Sequence, residues 1–201
     1  EDDWLEVSGE DGKWMISSKN LLAGISQGHG LEGYLFPDTY RFRNDVSAET
    51  VVDTMVLTLQ RRMAENDVVI PSTLVLENGM TLHEILTLAS IVEREVASIE
   101  DMGVVAGIFL TRLQIGMALQ ADSTVNYITG KKDAAVTLED SRVDSAYNTY
   151  LYLGLPPGPI SNPGINAIMA VLGPTDSDYL YFLTSPEGVA YFATTFDQHI
   201  A

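Results

Sequence analysis

Apolar positions along residues 81–96 recur at helical period. At about 100° per residue, Leu82, Ile85, Leu86, Ala89, Val92 and Val96 share one face, the face a helix buries. Thr81 and Glu84 stand in the spacing of a capping box, in which hydroxyl and carboxylate each satisfy the other's free backbone N–H. Glu93 falls among the hydrophobes, between the directions of Leu82 and Leu86. Glu84, Arg94 and Glu95 are expected to point towards water.

The same reading predicts helices on either side. Ser47 is an N-cap for a helix to about Asn66, with Val51, Met55, Leu59 and Met63 on one face. Its methionines read as core filler, and residues 68–71 link it to the next helix. Ser98, with Asp101 three residues on, opens a helix through Val104, Val105, Ile108, Phe109 and Leu113 that Gly116 closes. Asn162-Pro-Gly places a capping residue before a proline at the first helical position; that helix runs to Leu172, with Gly173-Pro174 as its stop. Residues 179–184 and 189–194 alternate as a hairpin around Ser185-Pro-Glu-Gly188.

Between these lie less periodic stretches. Residues 1–30 are acidic and Gly-rich, with a hairpin expected around Gly9-Glu-Asp-Gly12 and a short helix over 20–25 that ends at Gly28-His-Gly30. His29 reads as a surface loop residue. Residues 31–43 are aromatic-rich and interrupted by Gly33 and Pro37, which suits a packed segment lining something. Residues 119–127 mix polar and aromatic side chains without clear period, and 131–144 is a charged surface excursion. Residues 154–160 form a loop stiffened by prolines. There is no internal repeat or low-complexity segment.

With 201 residues and 46% hydrophobic content, the chain can bury a core as one domain with at most a small appendage. A formal charge of −17 disfavours nucleic acid and anionic membrane surfaces as partners. The absence of cysteine excludes disulfides, thiolate catalysis and Cys–zinc sites without deciding the compartment. The longest apolar runs, such as residues 104–110, are too short to span a bilayer. No signal peptide opens the sequence, which reads as a mature or excised fragment.

The chemistry narrows by what is missing. There is no Walker-type loop, no G-x-G-x-x-G and no G-x-S-x-G. The three histidines, at 29, 83 and 199, have no metal-ligand spacing, and His83 reads as an exposed residue of a first helical turn. Serine or threonine nucleophiles lack a plausible base. Glu93 stands out instead. A carboxyl packed among hydrophobes disfavours its charged form, and a carboxyl that keeps its proton near neutral pH is what a general acid needs. The alternative is structural: Glu93 edges the stripe and reaches out to solvent, or pairs with a buried cation such as Arg112. Carboxylate chemistry in an aromatic, amide-lined groove suits carbohydrate, where acids protonate glycosidic oxygens and ring faces stack on sugars.

Several motifs together carry a resemblance. Leu31-Glu-Gly-Tyr-Leu-Phe-Pro-Asp-Thr-Tyr40 and Leu88-Ala-Ser-Ile-Val-Glu-Arg-Glu95 resemble the opening and catalytic motifs of the YceG-like endolytic murein transglycosylase family. Residues 112–127, Ala146-Tyr-Asn-Thr-Tyr150, residues 154–164 and the tail from Tyr179 to Phe196 follow in the family's order. The resemblance covers residues 31–201 as a catalytic domain and implies an α+β fold, a helical catalytic core with small β elements and a C-terminal hairpin. It leaves 1–30 as a leading segment, a linker or the remnant of a LysM-like subdomain.

The implied activity is that of an extracytoplasmic lyase, membrane-anchored in full length. It would cut peptidoglycan strands internally between N-acetylmuramic acid and N-acetylglucosamine and leave 1,6-anhydro ends. No metal or organic cofactor is implied; cell-wall synthesis proteins are the implied partners. The glutamate matching Glu93 is the catalytic residue, and since the sugar's own C6 hydroxyl is the nucleophile, one carboxyl suffices. Glu32, Gln120, Asp122, Tyr147, Asn148 and Tyr150 match positions expected to contact substrate, with structural roles as the alternative for Glu32 and Asn148. Where relatives often carry proline, this chain has Ser123. A non-catalytic peptidoglycan-binding or scaffolding module is the competing reading.

Overall fold

A computed structural model describes residues 21, 30–70, 75–76, 79–131, 135–185 and 187–200. Six α-helices and one antiparallel hairpin follow one another among them: α1 (Ala48–Glu65), α2 (Leu82–Glu95), α3 (Ile99–Gln114), α4 (Asp122–Thr129), α5 (Ile165–Leu172), β1 (Tyr181–Thr184), β2 (Ala190–Ala193) and α6 (Phe196–His199). A 3₁₀ turn, Asp140–Arg142, lies between α4 and α5. This is the expected α+β arrangement. The sequence features predicted for residues 1–29 lie outside the described residues, apart from Leu21, which is buried in the core.

The cap signals place the long helices closely. Ser47 accepts the Thr50 N–H, Ser98 accepts the Asp101 N–H, and Thr81 and Glu84 close the reciprocal capping box. Pairing in the hairpin runs from Tyr181 opposite Ala193 to Thr184 opposite Ala190.

Three expectations need correction. Helix α1 buries Val56, Leu59, Gln60 and Met63, with Val51 and Met55 only half-buried, so its contact face is rotated from the predicted one. Residues 122–129 form a helix that no apolar period announced; Gly130 at φ 68° ends it in the left-handed conformation. Finally, α5 starts at Ile165 with Gly164 as its N-cap, not at Asn162.

The central element is α2. Every residue from Ile85 to Val92 is buried, because α3, α4 and α5 all pack on it. The predicted one-sided stripe was therefore too narrow, and Thr87 and Ser90 are the reason. Each hydroxyl donates back into the helix, Thr87 to the His83 carbonyl and Ser90 to the Thr87 carbonyl, both at 2.7 Å. Polar residues satisfied in this way can enter a core. No described helix is long and apolar enough to cross a membrane.

Candidate functional site

Residues 157–164 form a strap that runs beside α2 in the same direction and is pegged to it four times. His83 Nε2 bonds the Pro157 carbonyl at 2.8 Å, and Ser90 Oγ accepts the Ile160 N–H at 2.9 Å. Ser161 Oγ donates to the Ser90 carbonyl at 3.1 Å, and the Gly164 N–H donates to Glu93 Oε2 at 3.2 Å. Glu93 thus emerges half-buried where α2 runs out of core, facing the start of α5. Among the described residues it forms no ion pair. Arg112 is occupied elsewhere, its guanidinium donating to the carbonyls of Leu180 and Leu119. The structural alternative of a Glu93–Arg112 pair is not what the fold builds.

A turn at 31–36 packs over the strap. Asn162 Oδ1 accepts the N–H groups of Gly33 (2.7 Å) and Leu35 (3.2 Å), which is why this residue does not cap α5. Gly33 has φ 89°, and a Cβ there would stand 2.3 Å from Pro159 Cγ; glycine meets both demands. Tyr34 is buried and its hydroxyl meets His83 Nδ1 at 2.9 Å. Because the Pro157 carbonyl can only accept, His83 donates to it from Nε2, and in the neutral ring Nδ1 is left to take the Tyr34 hydroxyl. Burial pushes the Tyr34 phenol up to about 12. His83, expected at the surface, is therefore a half-buried bridge between turn, helix and strap.

On the exposed side of this turn Glu32 meets the Tyr127 hydroxyl at 3.4 Å. The Tyr127 and Tyr147 rings lie 5.1 Å apart. Both phenols are raised, first by partial burial and then by the Glu32 charge. Glu32 thus reaches Tyr127 from the turn, and the strap beneath that turn carries the bond to Glu93. Tyr127 was not singled out from sequence; its place on a helix without apolar period gave no signal.

The remaining expected site residues gather around the start of α4. Gln120 is exposed and sits at φ 49°, held by its N–H to the Thr149 carbonyl at 3.1 Å. The Tyr150 hydroxyl donates a short hydrogen bond to Asp122 Oδ1, and burial followed by that bond raises the phenol. Asn148 behaves differently. It is wholly buried, its amide donates to the carbonyls of Ser141 (3.0 Å) and Val143 (2.8 Å), and its oxygen accepts the Tyr150 N–H (3.0 Å). Both amide donors are taken up within this loop, which fits the structural alternative for Asn148, a brace that holds Tyr150.

Glu95 also departs from expectation. It is half-buried, and its Oε1 accepts both the N–H (3.2 Å) and the hydroxyl (2.6 Å) of Ser123. Among the described residues no group of three potential ligands is placed to hold a metal ion. A separate depression of about 850 Å³, lined by Met80, Glu84, Leu113, Leu155 and Leu172, lies towards the other end of α2 and includes none of these site residues.

Residues 7–201 match the profile of a family described as YceG-like. The chain is 39% identical over 172 residues to an endolytic murein transglycosylase of Bacillus subtilis, covering 85% of this chain and 46% of that protein. It is 36% identical over 175 residues to the protein of that name in Streptococcus pneumoniae serotype 2, covering 84% of this chain and 31% of the other. A solved YceG-like protein from Listeria monocytogenes superposes with a TM-score of 0.77 at 40% identity, over 90% of this chain and 58% of that one. The chain therefore spans about half, or less, of the length of these curated relatives.

Proposed function

Because this chain belongs to the YceG-like family, we propose that it is the catalytic part of an endolytic peptidoglycan lytic transglycosylase, with Glu93 as its single acid and base. The supporting observation is the setting of Glu93: a half-buried carboxyl facing a helix start, bonded through one oxygen to Gly164 and joined to no cation among the described residues. The match to proteins named endolytic murein transglycosylase supports the substrate class.

In this reading a glycan strand lies across the Glu93 face. Protonated Glu93 gives its proton to the glycosidic oxygen between N-acetylmuramic acid and N-acetylglucosamine, and the C1–O bond breaks as positive charge grows on the ring. The muramic acid C6 hydroxyl then attacks C1, and its proton passes to the Glu93 carboxylate. A 1,6-anhydro ring forms, no water is consumed, and the acid is restored. The Gly164 N–H holds Oε2 of Glu93 in place through both proton transfers. Tyr127 and Tyr147 offer ring faces to sugars. Glu32, Gln120, Asp122 and Tyr150 offer hydrogen bonds, and Asn148 holds Tyr150 in place. The enzyme acts outside the cytoplasmic membrane, alongside the machinery of wall synthesis.

The test is digestion of purified peptidoglycan with mass spectrometry of the products. Wild-type chain releases anhydro-ended fragments, and Glu93→Gln releases none while melting at the same temperature. Anhydro products from Glu93→Gln would remove Glu93 from the role. Products heavier by one water would make the enzyme a hydrolase, and binding without cleavage would leave a wall-binding module.

A further inference from the structure

Helix α2 ends Glu93-Arg94-Glu95, and the proposed reaction uses only the first glutamate. Two residues at 100° each send their side chains out on nearly opposite sides, about 200° apart. Each carboxylate then meets the start of a helix that lacks a cap of its own. Helix α5 begins after Gly164, which has no side chain to cap it, and Glu93 accepts the Gly164 N–H. Helix α4 begins after Ala121, which makes no side-chain cap, and Glu95 accepts the N–H and hydroxyl of Ser123 in its first turn. Free N–H groups at a helix start need an acceptor, and a carboxylate also suits the positive end of the helix.

We propose that Glu95 is a positioning residue: by capping α4 from outside, it holds that wall of the site in register with Glu93. What α4 carries makes this matter. Asp122 sits beside Ser123 and takes the Tyr150 hydroxyl, and Tyr127 lies one turn further along. The backbone of Glu95 is anchored in turn, its carbonyl accepting the Thr184 hydroxyl of β1 at 3.1 Å. The groups around the carboxyl are Ser123 and Asp122 on α4, Arg94 on α2, Arg112 on α3 and Tyr150 from the loop. Burial pushes the Glu95 carboxyl up, against the pull of the two Ser123 bonds. Either protonation state leaves Oε1 free to accept, so the cap depends on an oxygen at that point and not on a charge.

The inference rests on Glu93 doing the chemistry, and the test keeps the two apart. Kinetics would be measured with the whole chain on soluble, uncrosslinked glycan strands, at a temperature where circular dichroism shows each variant fully folded. Glu95→Ala is expected to raise KM about tenfold and leave kcat within about threefold, since two hydrogen bonds are lost but Glu93 and Gly164 are untouched. Glu95→Gln, which keeps the acceptor, is expected to return KM to within about twofold of wild type. Ser123→Ala, which keeps the N–H and loses the hydroxyl, is expected to raise KM about threefold and serves if Glu95→Ala does not fold.

A wild-type KM in Glu95→Ala, or in Ser123→Ala where that variant stands alone, overturns the proposal. So does a Glu95→Gln variant that loses kcat as Glu93→Gln does, since Glu95 would then carry a proton in the reaction. Strand affinity measured by co-sedimentation in the Glu93→Gln background gives an arm independent of turnover. There Glu95→Ala is expected to weaken binding about tenfold even if Glu93 proves not to be the acid, and unchanged affinity counts against the cap.

Discussion

Gln120 shows how much a single backbone angle can ask of a residue. At φ 49° it occupies the left-handed region, which costs a non-glycine side chain roughly 1–2 kcal/mol. The Thr149 carbonyl and hydroxyl, bonded to the N–H groups of Gln120 and Ala121, hold it there. A strained residue kept exposed beside a candidate site fits a side chain retained for contact with a ligand. Gln120→Gly separates the two effects. Thermal unfolding should show no loss of stability, while KM for glycan strands should rise about fivefold, the worth of one hydrogen bond of about 1 kcal/mol. Unchanged KM would take the amide out of substrate binding. At this scale the sequence pointed to Glu93 by its misfit among hydrophobes, but it placed His83 at the surface and left Asn148 open between a substrate contact and a buried amide. Their partners lie far along the chain, at Tyr34 and Pro157 for the first, or are plain backbone carbonyls for the second. Neither leaves a trace in local spacing.

At the level of elements, the turn at 31–36 is the piece most exposed to a small change. Gly33→Ala would force a Cβ into Pro159 and place an alanine at φ 89°. With about 1–2 kcal/mol for the backbone and about 1–3 for overpacking, a loss of about 2–5 kcal/mol is expected in denaturant unfolding, with activity falling as the turn lifts from the strap. A variant as stable as wild type would mean that the turn does not need the strap beneath it. Caps were the most readable feature of the sequence, since Ser47, Thr81 and Ser98 act within three residues of themselves. Helices α4 and α5 were placed poorly for the complementary reason. Their first turns are satisfied by glutamates of another helix, and Asn162, whose local signal was that of a cap, spends its oxygen on a distant turn. The rotation of α1 and the full burial of α2 were likewise hidden, because what packs against a helix is not written in the helix.

For the molecule as a whole, the net charge of −17 is large for a chain of 201 residues, and self-repulsion weakens the compact state. Raising salt from about 10 mM to about 300 mM shortens the screening length from about 30 Å to below 8 Å. The melting temperature is then expected to rise by about 2–4 °C, the shift that about 1 kcal/mol gives at this size. A flat or falling response would show that attractive surface pairs such as Arg62–Asp38 and Lys131–Asp140 outweigh the repulsion.

The pegged strap has a consequence for how this part of the chain can vary in length. Its contacts advance with α2, Pro157 on His83, Ile160 and Ser161 on Ser90, Gly164 on Glu93. One residue added or deleted between the first peg and the last would push every later one off its station and carry Gly164 away from the carboxyl. Insertions are therefore barred from this segment, while the charged excursion over 131–144 is held by its own bonds, Asp140 to Lys131 and Thr137, and not by pegs on α2.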